Sequence, residues 1–338
     1  PGHTSTLQTF DASTAEGLPG VRVVRDGDLL AALAPDPTTA RVARSRIAAQ
    51  WASTPLTPQD AWPDLYKRTA EPPVEQPQAR YPPLLRRGDA AAALAAAPPE
   101  RRRSSSYHVA PIAHVPLEPR AAVAQWDGTT MTVHSGTQAP FLVRQEVARA
   151  LTLPEAQVRI IVHDAGGAFG GKQRGECDVE AARLARLSGA PVRVAWTREE
   201  EFTCSYTRPA GVIDIDSAVD DEGRLSALRF ANYNSGASGL VPPYDVPHHW
   251  IGFFRAKSDV RQGSYRALAA VANTFARESH MDEWAHALGV DPIAFRMRHG
   301  TDARLREVIT RTADRFGWQR ARAATGTGRA AGFSCTLE

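Results

Sequence analysis

The stretch Ala165-Gly-Gly-Ala-Phe-Gly-Gly-Lys172 follows directly on the apolar run Val158-Arg-Ile-Ile-Val-His163. Four glycines around one phenylalanine make a loop whose backbone can press against a ligand, because no Cβ atoms block the approach. Amides freed in such a loop form an anion-binding concavity, strengthened where a helix starts just behind it. From Gly166 the stretch also reads G-x-x-x-x-G-K, the spacing of a phosphate-binding loop. Against that alternative, Gln173 stands where a Ser or Thr would hold Mg2+, Arg174-Gly175 delays the helix, and Phe169 is bulky for a compact phosphate cradle. The plain structural reading is a tight glycine turn that packs a strand on a helix.

Composition narrows the classes. The chain has 338 residues, 43% apolar and 23% charged, room for about two domains. A net charge of +3 is too small to argue for nucleic acid. Only Lys67, Lys172 and Lys257 among the 40 basic residues are lysines, so an isolated arginine carries little weight and Lys172 gains interest. Cys177, Cys204 and Cys335 show no C-x-x-C spacing. That excludes an iron–sulfur cluster held by this chain alone, which needs four thiolates, and argues against a disulfide scaffold. No apolar run approaches the roughly 18 to 20 residues of a membrane helix. Pro1 stands where a methionine would begin a chain, and the sequence is read as a fragment.

Local signals set out an α+β order with no internal repeat. A helix is expected from Thr38 to Trp51. Proline-dense sequence from Ala52 to Arg103 reads as extended linker, interrupted by a short alanine helix behind an Asp89 cap. Strands are expected over Tyr107–Ala113, Ala121–Trp126, Met131–His134, Val158–His163 and Val192–Trp196, with helices over Pro140–Leu151 and Asp178–Leu187. Gly211–Val219 and Arg224–Tyr233 read as a hairpin about Asp220-Asp-Glu-Gly223. After Arg266 the pattern turns helical, with Pro292 opening one helix and Gly317 closing another. Phe275, Trp284 and Phe295 are expected in helix core.

Six segments in order carry a resemblance that covers roughly Tyr107 onward. They are His114-Val-Pro-Leu-Glu-Pro-Arg-Ala-Ala122, Gly136-Thr-Gln138, Gly166-Gly-Ala-Phe-Gly-Gly-Lys172, Pro191-Val-Arg-Val-Ala-Trp-Thr-Arg-Glu-Glu-Glu-Phe202, Gln262-Gly-Ser-Tyr-Arg266 and Phe275-Ala-Arg-Glu-Ser-His-Met-Asp-Glu283. Through them the chain resembles the molybdenum-binding large subunits of the xanthine dehydrogenase and aldehyde oxidase family. The likeness is to the bacterial branch of isoquinoline 1-oxidoreductase and nicotinate dehydrogenase type. The resemblance implies an α+β fold of molybdopterin-binding domains truncated at both ends. Residues 1–60 would be the remnant of a small hammerhead-like domain and 61–104 a proline-rich linker. Residues 105–255 would form the first molybdopterin-binding domain and 256–338 the start of the second.

The same resemblance implies site residues and partners. Backbone amides of Phe169 and Gly170 would lie beside the metal's apical ligand, with Gly167 and Gly171 permitting the approach. Gln138 would hydrogen-bond an oxygen ligand, and Arg266 would border the metal centre and the pterin. No side chain of this chain would ligate the metal directly. The cofactor would be molybdopterin, in its cytosine dinucleotide form, with molybdenum. The implied reaction is oxidative hydroxylation of an aldehyde or N-heteroaromatic carbon with water-derived oxygen. Electrons would pass to a small iron–sulfur subunit with two 2Fe-2S clusters, and onward to a cytochrome c or flavoprotein acceptor. The family's glutamate base would lie beyond residue 338, so no catalytic residue is carried over and the 338 residues alone are expected to be inactive. Gln173 replaces the glutamate of xanthine-oxidising members, which argues against purine substrates. A degenerate, non-catalytic scaffold relative is a further alternative to the enzyme.

Other constellations are weaker. His108, His114, His248 and His249 lack zinc-ligand spacing; His114 reads as structural and the others as surface. The run Glu199-Glu-Glu201, Asp178 and the loop cation Lys172 have solvated positions as their plain reading. Gln138 has a helix cap near Pro140 as its plain reading.

Overall fold

Alternation in the strands decides which face of the sheet is filled. In Ala121–Trp126, Met131–Ser135 and Val158–Val162 the residues Ala122, Ala124, Met131, Val133 and Val158 are buried, while Val123, Gln125, His134 and Arg159 lie on the opposite face. This period of two is what a sheet covered on one side requires. The computed structural model describes residues 4–324, 326 and 328–337.

The chain divides into two compact units, each built from separate stretches. The first comprises Pro1–Leu56, Ala113–Thr207 and Val260–Arg266. Its four-stranded sheet runs Val192–Ala195, Ala121–Trp126, Met131–Ser135, Val158–Val162, with the last pair parallel. Helices Pro140–Leu151 and Glu176–Ser188 lie on the filled face, where Val143 and Val147 from one and Cys177, Ala181 and Ala185 from the other close the core. The alanines let the second helix approach the strands closely. Two hairpin-like pairs complete the unit, Ser5–Asp11 with Ala48–Ser53 and Arg22–Asp26 with Leu29–Leu33.

The second unit comprises Thr57–Ile112, Arg208–Asp259 and Ala267–Glu338. Its five-stranded sheet runs Leu84–Arg87, His248–Phe254, Leu225–Tyr233, Gly211–Val219, Arg102–Val109. Ile213, Ile215, Phe230 and Ile251 form a core with Ala272, Ala276, Met281 and Trp284 of the helix Ala270–Ala287. A polar chain crosses that core. Trp284 Nε1 donates to Ser217 Oγ (2.7 Å), which donates to His280 Nε2 (2.6 Å); His280 Nδ1 faces Tyr107 Oη (3.1 Å), which donates to Glu283 (2.8 Å). Because Tyr107 spends its proton on the carboxylate, the neutral form of His280 carries its proton on Nδ1. Burial lowers its pKa to about 4.

Three local expectations are corrected. The helix expected to Trp51 ends at Ser45, and Ala48–Ser53 is a strand paired antiparallel with Ser5–Asp11. Asp36 starts the helix by accepting from the amides of Thr38 and Thr39, and pairing then overrides the helical preference of the alanines. The proline-rich stretch carries a helix, Trp62–Arg68, and the edge strand Leu84–Arg87. Its prolines fall where no ladder amide is needed: Pro63 in the first turn of that helix, Pro82 and Pro83 before the edge strand. Phe275 is 48% exposed, while Trp284 and Phe295 are buried.

Candidate cofactor site

The strand Val158–Val162 delivers the chain into the glycine loop, which closes in a single 3-10 turn, Gly171–Gln173, before the helix begins at Glu176. Three of the loop glycines are dictated by contact, the first being Gly166, where a Cβ would lie 2.7 Å from Cβ of Glu118. Gly170 has φ +95°, and a Cβ there would lie 2.7 Å from the carbonyl oxygen of Ser264. At Gly171 it would lie 2.7 Å from Cγ of His114. No side chain fits at any of the three. Phe169 adopts φ +55°, a conformation that an L-residue holds only when its surroundings impose it.

Those surroundings come from the segment His114–Arg120. Imidazole Nε2 of His114 donates to the Ser264 carbonyl (2.6 Å), and burial lowers the pKa of this histidine. Glu118 pairs with the loop twice: its amide donates to the Gly166 carbonyl (3.1 Å), and its Oε2 accepts from the Gly166 amide (2.7 Å). The same oxygen accepts from Nζ of Lys172 at 2.8 Å. That lysine is 5% exposed, so it is a buried clamp and not a solvated cation. Its donation, with that of Gly166, holds the Glu118 carboxyl below the usual range.

Gln138 does not cap the following helix. The cap residue is Ala139, whose own amide bonds the Thr137 hydroxyl (3.0 Å). Thr137 Oγ1 and the Gln138 amide both donate to the Lys172 carbonyl (each 2.9 Å). The side chain of Gln138 instead accepts from the Gly170 amide through Oε1 (3.0 Å), which leaves Nε2 as its donor. Arg266 is brought to the loop by its backbone, its amide donating to the Phe169 carbonyl (3.0 Å), while its side chain is exposed. Gln138, Phe169, Gly170 and Arg266 therefore share one wall, with Gly167 and Gly171 in the same turn. The Phe169 amide finds no acceptor among the described residues. One unpaired amide, one carboxamide donor and one guanidinium suit an oxygen-rich anion.

The nucleotide-loop alternative finds no support in this geometry. Lys172 Nζ is turned to Glu118, and Gly175 separates the turn from the helix. Glu201 is likewise not solvated: its helix, Arg198–Thr203, is opened by a capping box at Thr197, and the carboxylate is buried against Arg120. Asp178 is also buried, its pKa raised to about 6 chiefly by desolvation. Among the histidines His108 is exposed, whereas His248 and His249 are half-buried and bond the Asp89 amide and the Val246 carbonyl. Sequence reasoning missed Glu118, Arg120, Glu201 and Tyr206 as loop supports. Arg120 and Glu118 stand in a quoted segment, but no spacing links them to partners so far along the chain.

The fold and this loop define a cofactor-binding domain, and comparison with known proteins agrees. Residues 73–299 match the profile of the molybdopterin cofactor-binding domain, and the chain belongs to that family. It is similar to a nicotinate dehydrogenase subunit from Pseudomonas putida, 31% identical over 230 residues that make up 61% of this chain and 19% of that relative. It is also similar to the beta subunit of isoquinoline 1-oxidoreductase from Brevundimonas diminuta, 28% identical over 250 residues, 67% of this chain and 32% of that relative. The aldehyde oxidoreductase of Desulfovibrio gigas shares the fold, with a TM-score of 0.78 at 18% identity over 96% of this chain and 43% of that one. The chain thus spans less than half the length of each of these relatives. No helix among the described residues is long and apolar enough to cross a membrane.

Proposed function

We propose that this chain is part of a molybdenum hydroxylase large subunit and supplies one wall of its molybdopterin site. The observation that carries the reading is the convergence of Gln138, Phe169, Gly170 and Arg266 around a loop whose glycines admit no side chain. In this reading the amide of Phe169 and Nε2 of Gln138 would donate to oxygen atoms of the bound group. Arg266 would neutralise charge on the pterin side, and the Gly170 amide, spent on Gln138 Oε1, would orient that carboxamide. When bound, the group supplies two-electron redox chemistry for hydroxylating an aldehyde or an N-heteroaromatic carbon with oxygen derived from water. The residues of this wall would bind and orient; none of Gln138, Phe169, Gly170 and Arg266 carries a carboxylate or imidazole that could serve as a base. The cytosine dinucleotide form of the cofactor, and electron transfer to a small subunit with two 2Fe-2S clusters and then a cytochrome c or flavoprotein, belong to the same proposal. Gln173 in place of the glutamate of xanthine-oxidising members favours an aldehyde or a non-purine N-heterocycle. The test is metal and pterin analysis of the full-length protein purified with its partner subunits. About one molybdenum per chain in the native protein, and a marked loss in Gln138→Ala, is the expected result. A native protein free of molybdenum and pterin would overturn the reading.

A further inference from the structure

The unpaired Phe169 amide is aimed by a chain of contacts that ends on one buried residue. In a trans peptide the carbonyl and the next amide point in opposite directions. The Ala168 carbonyl is turned inward, accepting from the Gly171 amide at 2.8 Å, so the Phe169 amide faces outward. Gly171 is itself fixed by its carbonyl, which accepts from Nη2 of Arg120. The neighbouring Gly170 carbonyl accepts from Tyr206 Oη at 2.5 Å. Arg120 is 4% exposed and held from every side. Nη1 bonds Glu201 Oε2, its own amide reaches Glu201 Oε1 (2.5 Å), and Nε lies 3.8 Å from Glu176 Oε2. Its guanidinium lies 5.2 Å from the ring of Trp196 and 5.7 Å from that of Tyr206. A rigid, planar cation wedged between two aromatic rings and a buried carboxylate is a fixed post.

We infer that Arg120 is a positioning residue for the cofactor: through Gly171 and Ala168 it holds Phe169 in its left-handed conformation and so aims the Phe169 amide at the oxygen ligand. Tyr206 performs the same task for Gly170. This role deepens the proposed function and rests on it. Lys172 has a different task, since it ties the outer edge of the loop to Glu118 and touches neither Gly170 nor Gly171 through its ammonium.

The test uses the full-length protein with its partner subunits. Arg120→Lys keeps the charge opposite Glu201, but a single ammonium, with less reach than the guanidinium fork, cannot serve Glu201 and the Gly171 carbonyl together. Molybdenum per chain is expected to fall about tenfold, and the Mo(V) paramagnetic resonance signal of the retained fraction to shift from the native one. Native molybdenum content with an unchanged signal overturns the inference, whatever happens to the thermal midpoint, because a merely structural role moves only the midpoint. Should Arg120→Lys fail to fold, Tyr206→Phe decides. That variant removes one hydroxyl and is expected to change content and signal in the same direction, less strongly; an unchanged signal overturns the inference. A native protein without molybdenum overturns the proposed function as well, whereas loaded native protein beside an unaltered variant overturns this inference alone.

Discussion

Nζ of Lys172 lies 2.8 Å from Oε2 of Glu118, the ammonium buried at 5% exposure and the carboxylate open at 48%. This asymmetry decides which partner is harder to lose. Water hydrates the freed carboxylate far more readily than it hydrates the buried ammonium.

Glu118→Ala is therefore expected to destabilise the fold by about 2 kcal/mol or more, since it strands the lysine and removes the acceptor of the Gly166 amide. Lys172→Met, which fills the same space with an apolar chain, is expected to cost less than half as much. Urea unfolding of the two variants checks the order. A larger loss in Lys172→Met would mean that Lys172 makes contacts more important than its pairing with Glu118.

Gly170→Ala and Gly189→Ala both place a side chain at positive φ, +95° and +69°. Only at Gly170 does the new Cβ meet backbone, and at Gly189 nothing lies within 4 Å. Gly189→Ala is expected to lose about 1 kcal/mol from backbone strain. Gly170→Ala should lose at least twice that and lower molybdenum content too. Equal losses in chemical denaturation would show that the loop yields freely at Gly170.

His280 titrates near 4 in the folded protein, against an ordinary value of 6.5. Between those values the unfolded chain binds more protons, so stability rises with pH across that window and falls as acid is added. Above about pH 6.5 both states are neutral at this site and the dependence vanishes. His280→Gln is expected to flatten the stability profile between pH 4 and 6.5 relative to the native protein. Parallel profiles for the two proteins would refute a neutral, buried imidazole.

Asp178 carries the opposite sign. Its folded value of about 6 exceeds the ordinary value of 3.8, so the folded state holds the proton longer and stability declines as pH rises from about 4 to 6. Above that range the buried carboxylate is a constant penalty. Asp178→Asn is expected to be more favourable at pH 7.5 than at pH 4.5, by on the order of 2 kcal/mol. Thermal or urea unfolding at the two pH values measures the difference, and an equal effect at both would remove burial as the cause.

Much of this molecule is legible in short stretches. The helix Pro140–Leu151, the strand ahead of the glycine loop and the hairpin of Gly211–Val219 with Leu225–Tyr233 follow from side-chain period and turn residues, which act between near neighbours. Six ordered segments likewise carried the family resemblance, and the domain match over residues 73–299 agrees with it. Pairing across distance was not legible. Trp51 lies in a strand because Ser5–Asp11 offers a partner, and Phe275 faces outward although its helix suggested core.

The sequence by itself determined that a glycine-rich turn around Phe169 follows a strand, since glycine alone admits the close contacts made at Gly170 and Gly171. Tertiary structure alone decided which cations serve it. Lys172 finds Glu118 across 54 residues and Arg120 finds Glu201 across 81, and whether such charges are solvated or buried depends on what the folded chain packs around them. Desolvation is a property of the assembled fold, and no local pattern encodes it.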